Sequence, residues 1–188
     1  MKSLILATKK YSLTDYHKMI EIGIIKGEDK VELIRGEIVK MSPVGLKHAT
    51  CVKKLNQLFS QKLGTKVILG IQDPIKLNDN SEPQPDVVLL KPKADFYATE
   101  HPKPEDIFLL IEVADSSIEY DQQIKIPLYA ENNITEMWLV NINENIIQVY
   151  QNPQGKLYKN ITNYQINDQI NITIFSDFNF DIQVKDIL

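Results

Sequence analysis

Ile107-Phe108-Leu109-Leu110-Ile111-Glu112-Val113 is a run of branched and aromatic residues with a single carboxylate near its end. A short, continuous apolar run of this kind reads as a β-strand buried on both faces of a sheet. Glu112 then sits where a charge is costly, and something must compensate it. A second run, Val87-Val88-Leu89-Leu90, is led in by Pro85-Asp86, and Lys125 follows in what reads as the next helix. Two acids at neighbouring strand ends with a lysine nearby suit metal-assisted phosphodiester cleavage.

Toward the N-terminus, Ser12-Leu13-Thr14-Asp15 has the form of a capping box ahead of Tyr16, Met19 and Ile20, and Gly23 offers a stop, so a short helix is expected. Val31 to Ile34 and Glu37 to Met41 flank Arg35-Gly36, the pattern of a hairpin with a two-residue turn. Strand alternation puts Val31 and Leu33 on one face and Glu32 and Ile34 on the other. Past Pro43 and Gly45, a helix from Leu46 to Leu63 carries Val52, Leu55, Phe59 and Leu63 at helical spacing. His48, Lys47, Lys53, Lys54 and Lys62 lie around that stripe as the densest basic patch in the chain. It reads either as a solvated helix surface or as a contact for a phosphate backbone.

Val67 to Ile71 and Ile75 to Leu77 read as further strands, followed by a turn-rich polar loop, Asn78 to Pro85, that delivers the chain to Asp86. A second loop, Lys91 to Pro104, holds three prolines and leads into the Glu112 strand. On the far side, Ala114-Asp115-Ser116-Ser117 reads as a helix entry, with Ile124, Leu128 and Tyr129 on one face. Pro127 implies either a kink or a helix that begins near it. Glu136 to Val140 and Ile146 to Tyr150 form a second hairpin, in which Trp138 belongs to the core or to an interface. Beyond Asn152 the expectation is short strands near Gln169 to Ile174 and a weakly patterned tail.

At 188 residues, with 43% hydrophobic and 24% charged residues, the chain has the size and composition of one globular domain, taken as 1–188. A net charge of -4 means that any nucleic acid must be met by a local basic face. The lone cysteine, Cys51, excludes an intrachain disulfide and a cysteine-based zinc site. The apolar stretch near Met1 is too short for a signal peptide and nothing reaches membrane-spanning length, so a cytoplasmic protein without membrane contact is expected. No Gly-x-Ser-x-Gly elbow supports serine hydrolysis.

Hard cations such as Mg2+ (or Mn2+) take oxygen ligands, which makes Asp86 and Glu112 candidate metal ligands. Lys125 would orient water or stabilise phosphate charge, Glu32 would hold Lys125 or a metal-bound water, and His48 would contact phosphate or support a ligand. Each also has a structural reading: Asp86 ends a loop, and Glu112 pairs with Lys125. An acid inside an apolar strand is rare without a partner or a metal.

Val31-Glu32-Leu33-Ile34-Arg35-Gly36-Glu37, Met41-Ser42-Pro43 and His48 resemble the opening of the Uma-two family of restriction-endonuclease-like proteins, abundant in cyanobacteria. So do Pro83-Gln84-Pro85-Asp86-Val87, Ile111 to Ser117, Tyr120-Asp121 with Lys125, and Glu136 to Val140, over the stretch from Tyr11 to Tyr150. The resemblance implies the PD-(D/E)xK nuclease superfamily and its α/β (α+β) fold, a central mixed sheet flanked by helices. It implies Asp86 and Glu112 as metal-binding acids, and Glu32 as a further acid. The superfamily's usual lysine lies two residues after the second acid, where this chain has Ala114, and its role moves to Lys125 on the following helix.

The expected function is therefore magnesium-dependent endonucleolytic cleavage of DNA, with Asp86, Glu112, Lys125, Glu32 and His48 in the site and Lys47, Lys53 and Lys54 on the backbone. A homodimer would let two sites address two strands. The alternatives are a catalytically inactive binding module for nucleic acid or protein, and a hydrolase of another phosphate-containing substrate.

Overall fold

The structure, a computed structural model, describes residues 8–175 and 178–188. The short apolar stretch after Met1 falls largely outside the described residues. Helix α1, Leu13–Glu21, starts as its capping box dictates: the Asp15 N–H donates to Ser12 Oγ, and the Ser12 N–H donates to the Asp15 carboxylate. Strands β1, Val31–Ile34, and β2, Glu37–Lys40, form a separate two-stranded sheet. Arg35 (φ 49°) and Gly36 (φ 77°) both take left-handed backbone, the requirement of a tight two-residue turn. A Cβ at position 36 would lie 2.9 Å from Lys10 Cβ and 3.0 Å from the Tyr11 carbonyl oxygen, so glycine is needed there on two counts. Leu33 packs against Leu13 and Tyr16, while Glu32 projects to the opposite side.

Helix α2, Leu46–Leu63, has the expected bounds and buries Cys51, Val52, Leu55, Phe59 and Leu63. The main sheet follows: β3 Ile68–Ile71, β4 Val87–Leu90, β5 Ile107–Ala114, β6 Glu136–Asn141, β7 Ile146–Gln154 and β8 Leu157–Gln165, in the order β3-β4-β5-β6-β7-β8. Only the β5–β6 pair is parallel among the described residues, because the intervening helical segment carries the chain back to the same end. The sheet is mixed, as expected.

Alternate residues of β5 serve two cores. Leu109, Ile111 and Val113 pack with α2 and with Ile170, Ile172 and Ile182 of a second hairpin, β9 Gln169–Phe175 and β10 Phe178–Gln183. Leu110 and Ala114 pack with Ile126, Leu128 and Tyr129 on the other face. Trp138 is fully buried, with its ring centroid 6.2 Å from that of Phe59, so it belongs to the core.

Two expectations change, and a third is made specific. Ile75 to Leu77 is not a strand: the segment is extended, but its N–H groups go to loop carbonyls, Ile75 to Pro83, Lys76 to Pro102 and Leu77 to Ser81. The sequence past Asn152 holds full strands, β8 and β10, that its pattern did not announce, because β8 is a mostly exposed edge strand with little apolar alternation. After Ser117 the chain forms α3, Ile118–Tyr120, a π-helical turn, Asp121–Lys125, and α4, Ile126–Glu131. Pro127 offers no N–H to this turn, and the Ile126 N–H reaches back to the Asp121 carbonyl five residues earlier. No helix among the described residues is long and apolar enough to cross a membrane.

Candidate metal centre and its acidic cavity

Strand register places the two strand-end acids side by side. Val87 pairs with Ile71 on one side and with Ile111 on the other, so the next residues in line are Gln72, Asp86 and Glu112. Asp86 is held from three directions. Its Oδ2 accepts from the Val113 N–H at 2.8 Å and lies 3.0 Å from His48 Nε2; its Oδ1 accepts from Gln72 Nε2 at 3.2 Å. His48 stands on the first turn of α2, which packs over β5 and so aims the ring at the sheet end. The Asp86 hydrogen bond raises the His48 pKa above its ordinary value, against the opposing effect of burial. His48 Nδ1 is buried without a hydrogen-bond partner among the described residues.

Glu112 is 3% exposed. Its Oε1 accepts from Lys125 Nζ at 3.1 Å and from the Tyr129 hydroxyl at 2.5 Å. Burial pushes the Glu112 carboxyl up to about 8, against the ammonium beside it. Burial works against the charge of Lys125 too, but Glu112, Glu32, Asp121 and Asp86 together outweigh it and hold Lys125 above its ordinary value. Lys125 Nζ also lies 3.4 Å from Glu32 Oε2, which in turn accepts from the Gln84 N–H at 3.1 Å. The first hairpin is fixed over this point by the 2.6 Å ion pair of Arg35 with Glu131 at the end of α4.

The expected residues Glu32, His48, Asp86, Glu112 and Lys125 thus line one cavity of about 850 Å³. Ala114 is buried on the same face of β5, two residues beyond Glu112, and the ammonium arrives from Lys125 on the π turn. A larger cleft, about 1030 Å³, lies at the opposite strand ends near Lys91, Ile107 and Glu136 and gathers no set of buried acids. Size alone does not mark the site.

Lys47, Lys53 and Lys54 do not line the acidic cavity. Lys47 and Lys53 are exposed on α2, and Lys54 Nζ donates to the backbone carbonyl of Leu188. The lysines on the cavity wall besides Lys125 are Lys26, Lys30 and Lys40, all exposed, from the hairpin and the turn before it. Two further groups escaped the reading of the sequence as site residues. Asp121 is buried in the cavity wall, accepts from Ser117 Oγ at 2.7 Å, and is pushed by burial to about 6 against the pull of Lys125. Tyr129 is the hydroxyl donor to Glu112. Asp121, Lys125 and Tyr129 recur every four residues, a polar stripe entering an apolar helix face, and that spacing was the available signal.

The donor chemistry fits a hard divalent cation. Four buried carboxyl groups, Glu32, Asp86, Glu112 and Asp121, share the cavity wall with the one buried lysine described there, Lys125. Both hydrogen bonds to Glu112 fall on Oε1, which leaves the lone pairs of Oε2 for a cation. Asp86 has one oxygen fixed by the backbone of β5, so its carboxylate is already oriented.

Comparison with solved structures finds a crystal structure from Anabaena variabilis ATCC 29413, described as a "putative nuclease belonging to DUF820". It shares 14% sequence identity and superposes with a TM-score of 0.69, covering 94% of this chain and 96% of that one, which shows a common fold. No curated protein matches the chain. The family model described as "Putative restriction endonuclease" matches residues 13–183, and the chain belongs to that family, Uma2.

Proposed function

We propose that this protein hydrolyses phosphodiester bonds of DNA as a magnesium- or manganese-dependent endonuclease. The observation that carries the reading is the cavity in which Asp86 and Glu112 stand on adjacent strand ends while Lys125 is fixed against Glu112 at 3.1 Å. Asp86 and Glu112 would hold the cation. When bound, it would neutralise the phosphate and lower the pKa of an attacking water.

The chain's own residues do the rest. The Val113 N–H and His48 hold the Asp86 carboxylate in place, and Tyr129 and Lys125 orient Glu112. Lys125 offers its ammonium to charge that develops on the phosphate, and Glu32 keeps that ammonium in position. Lys26, Lys30 and Lys40 stand where a phosphate backbone would enter, and the exposed Lys47, next to His48 in the chain but outside the cavity wall, would add a neighbouring contact. A homodimer, placing two cavities against two strands, completes the proposal.

One observation favours a binding module instead: Lys125 has a side-chain exposure of 8% and is engaged by two carboxylates, the arrangement of a structural ion pair. Calorimetric titration of Mg2+ and Mn2+ into the wild type, Asp86→Ala and Glu112→Ala, with plasmid nicking on the same samples, separates the readings. Binding and nicking that both substitutions remove support the nuclease. Binding without nicking supports the module.

A further inference from the structure

A second set of metal-ligating side chains lies in a separate cleft of about 710 Å³. His17 from α1, Glu82 from the 78–85 loop and His101 from the 91–104 loop bring their ligand atoms within 4.8 Å of one another. His17 Nε2 lies 2.8 and 3.1 Å from the two Glu82 oxygens, and the His17 and His101 rings meet edge to face with centroids 6.3 Å apart. Glu82 is 4% exposed, whereas the histidines face solvent, so a buried carboxylate forms the floor of the cluster and two accessible imidazoles form its mouth.

Three remote stretches of chain are held together here by backbone bonds that do not involve the side chains of the cluster. The Leu13 N–H donates to the Asp79 carbonyl at 2.7 Å, tying α1 to the first loop. The Lys76 N–H donates to the Pro102 carbonyl at 2.8 Å, tying the second loop beside His101, and the Glu82 N–H donates to the Leu33 carbonyl of β1 at 2.8 Å. Convergence of the three ligands is therefore met by the fold before any ion arrives.

The donor set selects the ion. Two imidazole nitrogens and one carboxylate oxygen suit Zn2+ and its neighbours Co2+ and Ni2+, whereas Mg2+ prefers oxygens alone. Tetrahedral ligands about 2.1 Å from zinc stand roughly 3.4 Å apart, and small rotations of exposed rings reach that spacing from the present one. We infer that His17, Glu82 and His101 form a binding site for a zinc-class divalent cation, independent of the acidic cavity, which clamps α1 and the 91–104 loop to the segment leading to Asp86. Pro83 and Pro85 stiffen the link between Glu82 and Asp86, so an ion at the first bears on the position of the second.

The test is calorimetric titration of Zn2+ into the full chain carrying Asp86→Ala and Glu112→Ala, which removes the ligands of the acidic cavity. The expected result is one Zn2+ per chain, insensitive to excess Mg2+, with affinity weaker by about tenfold or more after the further change His101→Ala. Co2+ should give the intense visible absorption of a tetrahedral site, lost in the same variant. His101 is exposed and its ring meets the His17 ring edge to face, so its removal should leave the fold in place, and circular dichroism checks this. His17→Ala should weaken binding to a similar degree. Zinc affinity unchanged by His101→Ala, or absent from the chain that lacks Asp86 and Glu112, overturns the inference.

Discussion

Lys125 Nζ lies 3.1 Å from Glu112 Oε1, with side-chain exposures of 8% and 4%. The pair is lopsided: Glu112 has a second donor in Tyr129, and Lys125 has a second acid in Glu32. Lys125→Met leaves Glu112, Glu32 and Asp121 buried without their cation, and should cost about 3–5 kcal/mol in urea unfolding at pH 8 and above, where the carboxyls must carry charge. Glu112→Gln keeps an acceptor for Tyr129 and leaves Lys125 with Glu32, so its cost should be about 1 kcal/mol. Equal losses in the two variants would refute this account of the pair.

Stability should fall with rising pH when cations are chelated. Burial raises Glu112 from its ordinary 4.5 to about 8 and Asp121 from 3.8 to about 6. Between those limits the native state keeps protons that the unfolded chain has released, so it is favoured at low pH and loses that advantage as pH rises through the folded values. Urea unfolding with chelator should show lower stability at pH 8 than at pH 5. Glu112→Gln should flatten the dependence, and millimolar Mg2+ should restore stability at the higher pH. A slope unchanged by Glu112→Gln would show that other groups govern it.

DNA affinity should depend on the hairpin lysines. Lys26, Lys30 and Lys40 stand on the wall of the acidic cavity, while Lys53 and Lys54 stand away from it on α2. Changing the first three to Gln should weaken binding to duplex DNA and reduce the salt slope by about 0.9 for each phosphate that is no longer neutralised. Changing Lys53 and Lys54 should do little. The reverse pattern in a fluorescence anisotropy titration would move the DNA-binding face to the second helix.

Asp121→Asn tests whether this buried acid belongs to the working site. Asparagine retains an acceptor for Ser117 Oγ, so the thermal midpoint should shift little, while nicking should fall about 10- to 100-fold through loss of a carboxylate from the cavity. Full nicking in this variant would assign Asp121 to the scaffold alone.

Much of the frame was legible locally. The capping box at Ser12, the Arg35-Gly36 turn and the Val52 to Leu63 stripe each rest on interactions within a few residues, and each appears where its pattern placed it. The buried acid at Glu112 was legible as well, since an uncompensated charge in an apolar strand demands a partner, and Lys125 supplies one. Ile75 to Leu77 misled because an apolar, extended segment looks the same whether its N–H groups meet a strand or a loop. Strand β8 was missed for the opposite reason, as an edge strand has a partner on one side and no apolar face to declare it.

Propensity, capping and apolar period act over neighbouring residues, and they suffice for the local elements, the strand that buries Glu112 and the set of acids and lysine available for chemistry. Which of those groups meet depends on long-range packing. Register across β3, β4 and β5 set Asp86 beside Glu112, the π turn ahead of Pro127 carried Asp121 and Lys125 into the same cavity, and the Arg35–Glu131 ion pair fixed the hairpin that presents Glu32. The same long-range pairing left Lys54 on the Leu188 carbonyl and gathered His17, Glu82 and His101 from three distant stretches. Such meetings depend on how separate elements pack, and no spacing along the chain encodes that.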